Sequence, residues 1–308
     1  MPTAKNNLIE RLVYLRKTLL LDTLNDKSTS QVEHNNIAKF LRNGLAVVGF
    51  VAIEDYLKKR TSEILNEISR TTVPFNNLPE KLQYSSTVGS LNSLIRLVKY
   101  EPTRADEISF VQLQTSVIAS TANTAYDLSE YSFGYKNPNI NSADIAQIMG
   151  SFYIKDSWRH MTRISSRIGL TSFPLDNSFE NAAIRRHRAA HNSTTNTPIV
   201  DLEQFISEAF GIAISFDSLL VKSLNLISAH NSTYLTGGIL IDNAMVNLSF
   251  IKKENGLWKY KRENQARAIK NNTDKTILKQ LVIPLAQSRN ETLIIYDGNG
   301  HVEEWQSY

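Results

Sequence analysis

The chain has 308 residues, of which 42% are apolar and 21% charged, with a net charge of +4 and no cysteine. That length can bury one large core or two modest ones, and the composition excludes a disordered chain; the missing cysteines exclude disulfides and thiolate chemistry. The small positive charge permits a polyanionic partner without demanding one, so local clustering matters more. Arg185, Arg186 and Arg188 crowd one short segment, and Lys252, Lys253, Lys259, Lys261, Arg262, Arg267 and Lys270 crowd another. The longest apolar run, Leu45 to Ile53, falls short of the roughly 20 residues a membrane helix needs. Met1 to Lys5 leads into a segment broken by Glu10, Arg11 and Arg16, which lacks a signal-peptide core. A cytoplasmic protein with no membrane span is predicted.

Helical periodicity begins at once. Leu8, Leu12, Leu15 and Leu19 predict a helix over Asn6 to Leu24, and Ile37, Phe40, Leu41, Val48, Val51, Tyr56 and Leu57 predict a second over Asn36 to Ser69, both core helices. Thr71 to Pro79 is a loop with two prolines, and Gly89 to Tyr100 and Ile108 to Leu128 are further helical windows. Tyr131 to Asn141 connects to a helix pair over Ser142 to Arg167. A short helix follows, with Asn177 as N-cap and Glu180 three residues on, stopped by the polar loop Asn192 to Pro198. Asp201 to Gln204 repeats the capping pattern and opens a long apolar helix through Phe205, Phe210, Ile214, Leu219 and Leu224.

After about Asn231 the period changes from helical to alternating. Val246, Leu248 and Phe250, the turn Asn255-Gly256, then Trp258 and Tyr260 predict a β-hairpin. Trp258 and Tyr260 are read as the inner face and Lys259 and Lys261 as the outer, with base stacking by the aromatics as the rival reading. Leu293 to Tyr296, the turn Asp297 to Gly300, and His301 to Trp305 predict a second hairpin, with a helix over Asp274 to Ile283 between. The expected division is a helical domain over 1–231 and a small α+β module over 232–308.

The residues that carry chemistry sit at the end of the short helix, in Arg186-His187-Arg188-Ala189-Ala190-His191. His187 and His191 are four apart and share a face, and Arg186 lies beside them. RNA is cut by its own 2′-hydroxyl when one group removes that proton, another protonates the leaving 5′-oxygen, and a cation stabilises the charge on the phosphate. Histidines suit the proton transfers, and the planar arginine fork suits the phosphate. An ion pair for Arg186 and a helix-end hydrogen bond for His191 are the structural alternatives. The histidine spacing also fits zinc, but no Glu follows His187 and no further Cys or His is near, so neither metal nor cofactor is expected.

Glu54 falls on the apolar stripe of the second helix and needs a cationic partner, for which an arginine of the short helix is the candidate. Asp55 can pair with Lys59 on an open face. Ala182, Ala183, Ala189 and Ala190 leave room for another helix to approach.

Arg186-His187-x-x-x-His191 resembles the signature of the HEPN superfamily, an arginine, a polar residue, three arbitrary residues and a histidine. The order of helices before and after it is similar to that of HEPN domains, and Ile145-Ala146-Gln147-Ile148 through Phe152 and Trp158, ahead of Ala190-His191-Asn192, resembles the RiboL-PSP branch. The resemblance covers about the first three quarters of the chain. It implies a mainly α fold, a HEPN-type helical bundle carrying a small C-terminal α+β module. It also implies a homodimer whose paired short helices form one composite cleft. The expected function is metal-independent endoribonuclease activity, as a toxin or antiviral effector. Arg186, His191 and His187 would be catalytic, Glu54 and Asn192 supporting, and Arg185 and Arg188 RNA-binding. The alternative is a non-catalytic scaffold or RNA-binding subunit with an antitoxin or defence-system partner.

Overall fold

The computed structural model describes residues 3–170, 173–192 and 194–308. Met1 and Pro2 of the amino-terminal reading and Ser193 of the polar loop lie outside the described residues. The fold is mainly helical with a five-stranded C-terminal sheet, as the sequence predicts at that level.

Helix α1 (Ala4–Thr18) starts where the Thr3 hydroxyl accepts the Asn6 N–H, and it buries Leu8, Leu12 and Leu15. It ends six residues before the predicted Leu24, because Asp22 pairs with Lys27 in a separate 3₁₀ turn that leads the chain back towards α2 (Val32–Ser69). Helix α2 corrects the sequence reading. Its inward stripe is Ala38, Ala46, Phe50, Ile53, Leu57 and Ile64, whereas Ile37, Phe40 and Val48 are 52%, 77% and 62% exposed and Leu41 and Val51 are exposed with them. A helix apolar on two sides cannot be oriented by periodicity alone.

Helix α3 (Glu80–Tyr84), a π-helical turn and α4 (Ser90–Leu97) form one bent segment that begins ahead of the predicted Gly89. Helix α5 (Arg104–Ser120) stops short of Leu128 and buries only Gln114, and Leu128 enters the core from an extended connector. The helix pair is α6 (Ser142–Ser151) and α7 (Ser157–Ile168), the second ended by Gly169 in the left-handed conformation. Then come α8 (Leu175–His191) and α9 (Ile199–Ser228). Both of these begin directly after a proline, not at the predicted caps. Asn177 lies inside α8, with Glu180 accepting the Ser142 hydroxyl, and Asp201 lies inside α9, paired with Arg185.

By length and composition α2 and α9 are apolar enough to cross a membrane, contrary to the reading that no such segment exists. For α9 the bundle explains the hydropathy, since 83% of its most apolar window is buried inside it. At Gly211 a Cβ would stand 2.5 Å from Ser165 Oγ, so glycine lets α9 lie close against α7.

After α10 (Ser232–Leu235) come β1 (Asn247–Glu254), β2 (Leu257–Arg262), β3 (Lys270–Asn272), α11 (Lys275–Ser288), β4 (Glu291–Tyr296) and β5 (Val302–Ser307). The strand order is β3-β2-β1-β4-β5, with β1 and β4 parallel and the other pairs antiparallel. Asn255 and Gly256 both have positive φ, as the predicted two-residue hairpin turn requires. Strand β3 was not anticipated, being short and polar. Helix α11 runs past Ile283 through Pro284, which leaves only the carbonyl of exposed Gln280 without its helical partner.

One sheet face packs on α11 through Ile251, Trp258, Tyr260, Leu293 and Ile295. That places Trp258 and Tyr260 inside. The opposite face joins the helical core across residue 231, with Leu248, Ile294, Tyr296 and Trp305 in the same cluster as Ile53, Tyr56 and Phe210. Trp305 meets Tyr56 and Phe210 edge-on and donates from Nε1 to Asp217 Oδ2 (2.8 Å), while Arg60 Nε reaches Asp217 Oδ1 (2.6 Å) and the Ser307 hydroxyl reaches Oδ2 (2.8 Å).

Burial alone would raise the Asp217 pKa, but Arg60 and Lys5 overcome it and hold the carboxyl below its ordinary value of 3.8. Asp217→Ala should lower unfolding stability by about 3 kcal/mol in urea titrations, because Arg60 loses its buried counter-charge and keeps only the more exposed Glu63 and Glu67, while the Trp305 N–H and Ser307 hydroxyl lose their acceptor. The depressed carboxyl stabilises the fold fully above the ordinary aspartate range, and this contribution should fade as pH falls through the folded value. The variant should therefore lose less stability than the wild type on acidification through that window.

Candidate functional site

Helix α8 is placed by its buried side. Leu175 N–H donates to Thr162 Oγ1 of α7 (3.0 Å), and Phe179 meets Phe50 of α2 and Trp158 of α7. Ala182 is buried, and Ala183 and Ala189 pack half-buried on the same core, so three of the four alanines admit helices of this chain and only Ala190 is exposed.

At the C-terminal end of α8, His187 and His191 are both exposed, their ring centroids 4.8 Å apart and tilted by 50°. Neither ring nitrogen makes a hydrogen bond among the described residues. Arg186 is half-buried, and its Nε is a buried donor with no partner. An orphaned guanidinium N–H is uncommon in a settled core, and among the described residues no acceptor meets this one. Arg188 is exposed, with its carbonyl accepting the Asn192 N–H (2.8 Å) that closes the helix. Arg185 turns the other way and is held by Asp201 of α9 at 3.1 Å.

Glu54 is buried beside this group, but it forms no ion pair among the described residues, contrary to the expected bond with a motif arginine. Its Oε1 accepts the backbone N–H of Ile140 at 2.9 Å, so the chain itself satisfies the carboxylate. Burial raises the Glu54 pKa against that hydrogen bond and against the charges of Lys58 and Arg186. Arg186 thus acts on Glu54 at a distance, and among the described residues its guanidinium makes no hydrogen bond or ion pair. Asp55 pairs with Lys59 as expected, and with Arg11 as well.

The segment after the motif is strapped to α2 by two residues that the sequence reading did not single out. Buried Arg42 donates from Nε to the Thr197 carbonyl (3.0 Å) and from Nη2 to Asn196 Oδ1 (2.7 Å), with Leu24 and Asp26 taking its remaining bonds. Asn43 donates to the Thr195 carbonyl (2.7 Å) and accepts from the Thr197 N–H (3.1 Å) and hydroxyl (2.9 Å). Asn192 Oδ1 accepts from the Thr194 N–H and hydroxyl, a local turn that fixes the first residue beyond His191. The available signal was two polar residues on the inward stripe between Ala38 and Ala46.

Between α2 and the end of α8 lies a cleft of about 560 Å³. Lys39, Phe40 and Gly44 line one side and Ala190, His191 and Asn192 the other. Its size falls in the range of small-ligand pockets, and its wall joins an exposed aromatic ring to a lysine and a histidine. The sequence-predicted residues therefore divide: His191 and Asn192 line the cleft, Arg186, His187 and Arg188 stand on the adjoining turns, Glu54 lies behind them, and Arg185 belongs to the α8–α9 contact. No family model, curated protein or solved structure matches the chain.

Asn43→Ala removes three hydrogen bonds and leaves the Thr197 N–H buried without its acceptor, so it should cost about 2–3 kcal/mol. Hydrogen exchange should show the Thr197 amide losing protection before the amides of α9. Removing the Arg186 charge by Arg186→Ala should push the Glu54 pKa further up, a shift measurable by carboxyl NMR titration; an unmoved Glu54 would place Arg186 out of electrostatic reach.

Proposed function

We propose that this chain is a metal-independent endoribonuclease of the HEPN type, acting in the cytoplasm as a homodimer. The observation that carries the reading is the Arg186 guanidinium, with no hydrogen bond among the described residues, beside two exposed histidines whose rings lie 4.8 Å apart at one helix end. The substrate's 2′-hydroxyl attacks the adjacent phosphorus, one histidine takes its proton, another protonates the departing 5′-oxygen, and Arg186 holds the phosphate oxygens. The products are a 2′,3′-cyclic phosphate and a free 5′-hydroxyl.

The second copy draws support from α2. Ile37, Leu41, Gly44, Val48 and Val51 are exposed and spaced four and three residues apart in alternation, the seam of a helix that packs on another helix. Phe40 and Gly44 share the cleft with His191, so this stripe borders the motif. A two-fold contact along it brings His191 and its twin to one scissile phosphate. The role of a toxin or antiviral effector belongs to the same reading. The exposed stripe alone also suits a binding scaffold, which is the reading that remains if the protein pairs and leaves RNA intact.

Purified protein should cut mixed RNAs in the presence of chelator, leave 2′,3′-cyclic phosphate ends, and spare substrates with a 2′-deoxy group at the scissile position. Arg186→Ala and His191→Ala should each lower the rate by about 10²–10⁴-fold with unchanged circular dichroism, and His187→Asn should be milder. Val48→Asp or Ala190→Trp should weaken association and cutting together, as read by sedimentation beside the cleavage assay. A fully active monomer would overturn the shared site.

A further inference from the structure

A second constellation lies far along the chain from the motif, on the sheet face that β1 and β2 turn away from α11. The register sets Lys252 opposite Lys259 and Phe250 opposite Lys261, so three lysines and a phenyl ring share one patch on two neighbouring strands. Lys259 and Lys261 both reach a single carboxylate, Glu254, at 3.4 and 2.7 Å. Lys252 has no ion pair among the described residues. Its ammonium rests over the rings of Tyr296 and Phe250, 4.1 and 5.1 Å from their centroids. Across from the strands stands Arg167, from the last turn of α7, but Glu263 and the carbonyls of Asn243 and Val246 take up its donors. The result is a groove of about 470 Å³ in which three lysines face a single carboxylate, Glu254, that two of them already share, while Glu263 is taken by Arg167.

Half-buried Lys252 is held below the ordinary lysine value chiefly by burial, with Glu254 opposing that shift and Lys261 adding to it. Apart from the two rings, its ammonium makes no hydrogen bond or ion pair among the described residues. Asn264 and Gln265 stand at the rim, and their side-chain amides make no hydrogen bond among the described residues. We propose that this groove binds a nucleotide, its phosphates held by Lys252, Lys259 and Lys261 and its base or sugar set against Phe250 and the amides of Asn264 and Gln265. Three lysines sharing one carboxylate suit a multiply charged phosphate, the flat ring suits a heterocycle, and the volume suits one small ligand. This inference does not depend on the endoribonuclease reading.

The test is calorimetric titration of the full chain at low salt with ADP, with pyrophosphate, with adenosine and with a short RNA. ADP should bind saturably and more tightly than pyrophosphate, adenosine should not bind, and affinity should fall as salt rises. Lys252→Gln should weaken ADP about tenfold or more with an unchanged melting temperature, the loss of one strong charge-assisted contact. Glu254→Gln should tighten it by freeing Lys259 and Lys261, a gain that a merely structural role for the patch would not produce. Arg186→Ala should bind ADP as the wild type does, which keeps this test separate from that of cleavage. Absence of saturable ADP binding, wild-type affinity in Lys252→Gln, or pyrophosphate bound as tightly as ADP would overturn the proposal. So would Lys252-dependent binding of the RNA but not of ADP, which assigns the groove to a strand.

Discussion

The carboxylate of Asp217 joins the two kinds of architecture in this chain. It sits on the central helix α9 and takes Arg60 from α2 on one oxygen and Trp305 and Ser307 from β5 on the other. Each partner alone is a poor resident of the interior. The guanidinium needs a counter-charge once it leaves water, the indole N–H needs an acceptor, and the carboxylate would otherwise be driven to take up a proton. Together they satisfy one another, and the sheet is fixed on the bundle in one register. The last strand is therefore bound into the same core as the first helices.

Much of this architecture was readable because local rules and tertiary packing agree. The Asn255-Gly256 turn, the alternation around it and the aromatic inner face of β2 all follow from strand chemistry. The end of α8 was also readable, since a run of Asn, Thr and Pro after His191 can hardly continue a helix. Where local rules offer two answers the sequence misled. Asn177 and Asp201 have the chemistry of N-caps, yet Pro174 and Pro198 immediately precede the observed helix starts, and Asn177 and Asp201 lie inside the helices. The two apolar sides of α2 look alike until the neighbours of one side are known.

The candidate site shows the same division. Arg186, His187 and His191 lie within one helical turn and a half, so spacing alone groups them. Arg42 and Asn43 act on residues about 150 positions away in the chain, and no local pattern could pair them with Asn196 and Thr197. Glu54 was recognised as a buried carboxylate in need of a partner, but the partner is the Ile140 backbone, which has no side-chain signature. Backbone donors are offered by nearly every residue, so composition cannot reveal which one is used.

Helix α2 holds both arrangements. Arg42 straps the segment after the motif, and Arg60 makes the junction with α9 and β5. The step of 18 residues from Arg42 to Arg60 corresponds to five full turns, roughly 27 Å of rod, so both arginines project towards the same interior. Substitutions on the outward side of that rod leave this phase untouched. One inserted or deleted residue between positions 42 and 60 would turn one arginine by about 100° relative to the other, and only one of the two could then keep its partners. The length of this stretch is thus restricted to whole turns, and an insertion between Arg42 and Arg60 would separate the strap from the junction.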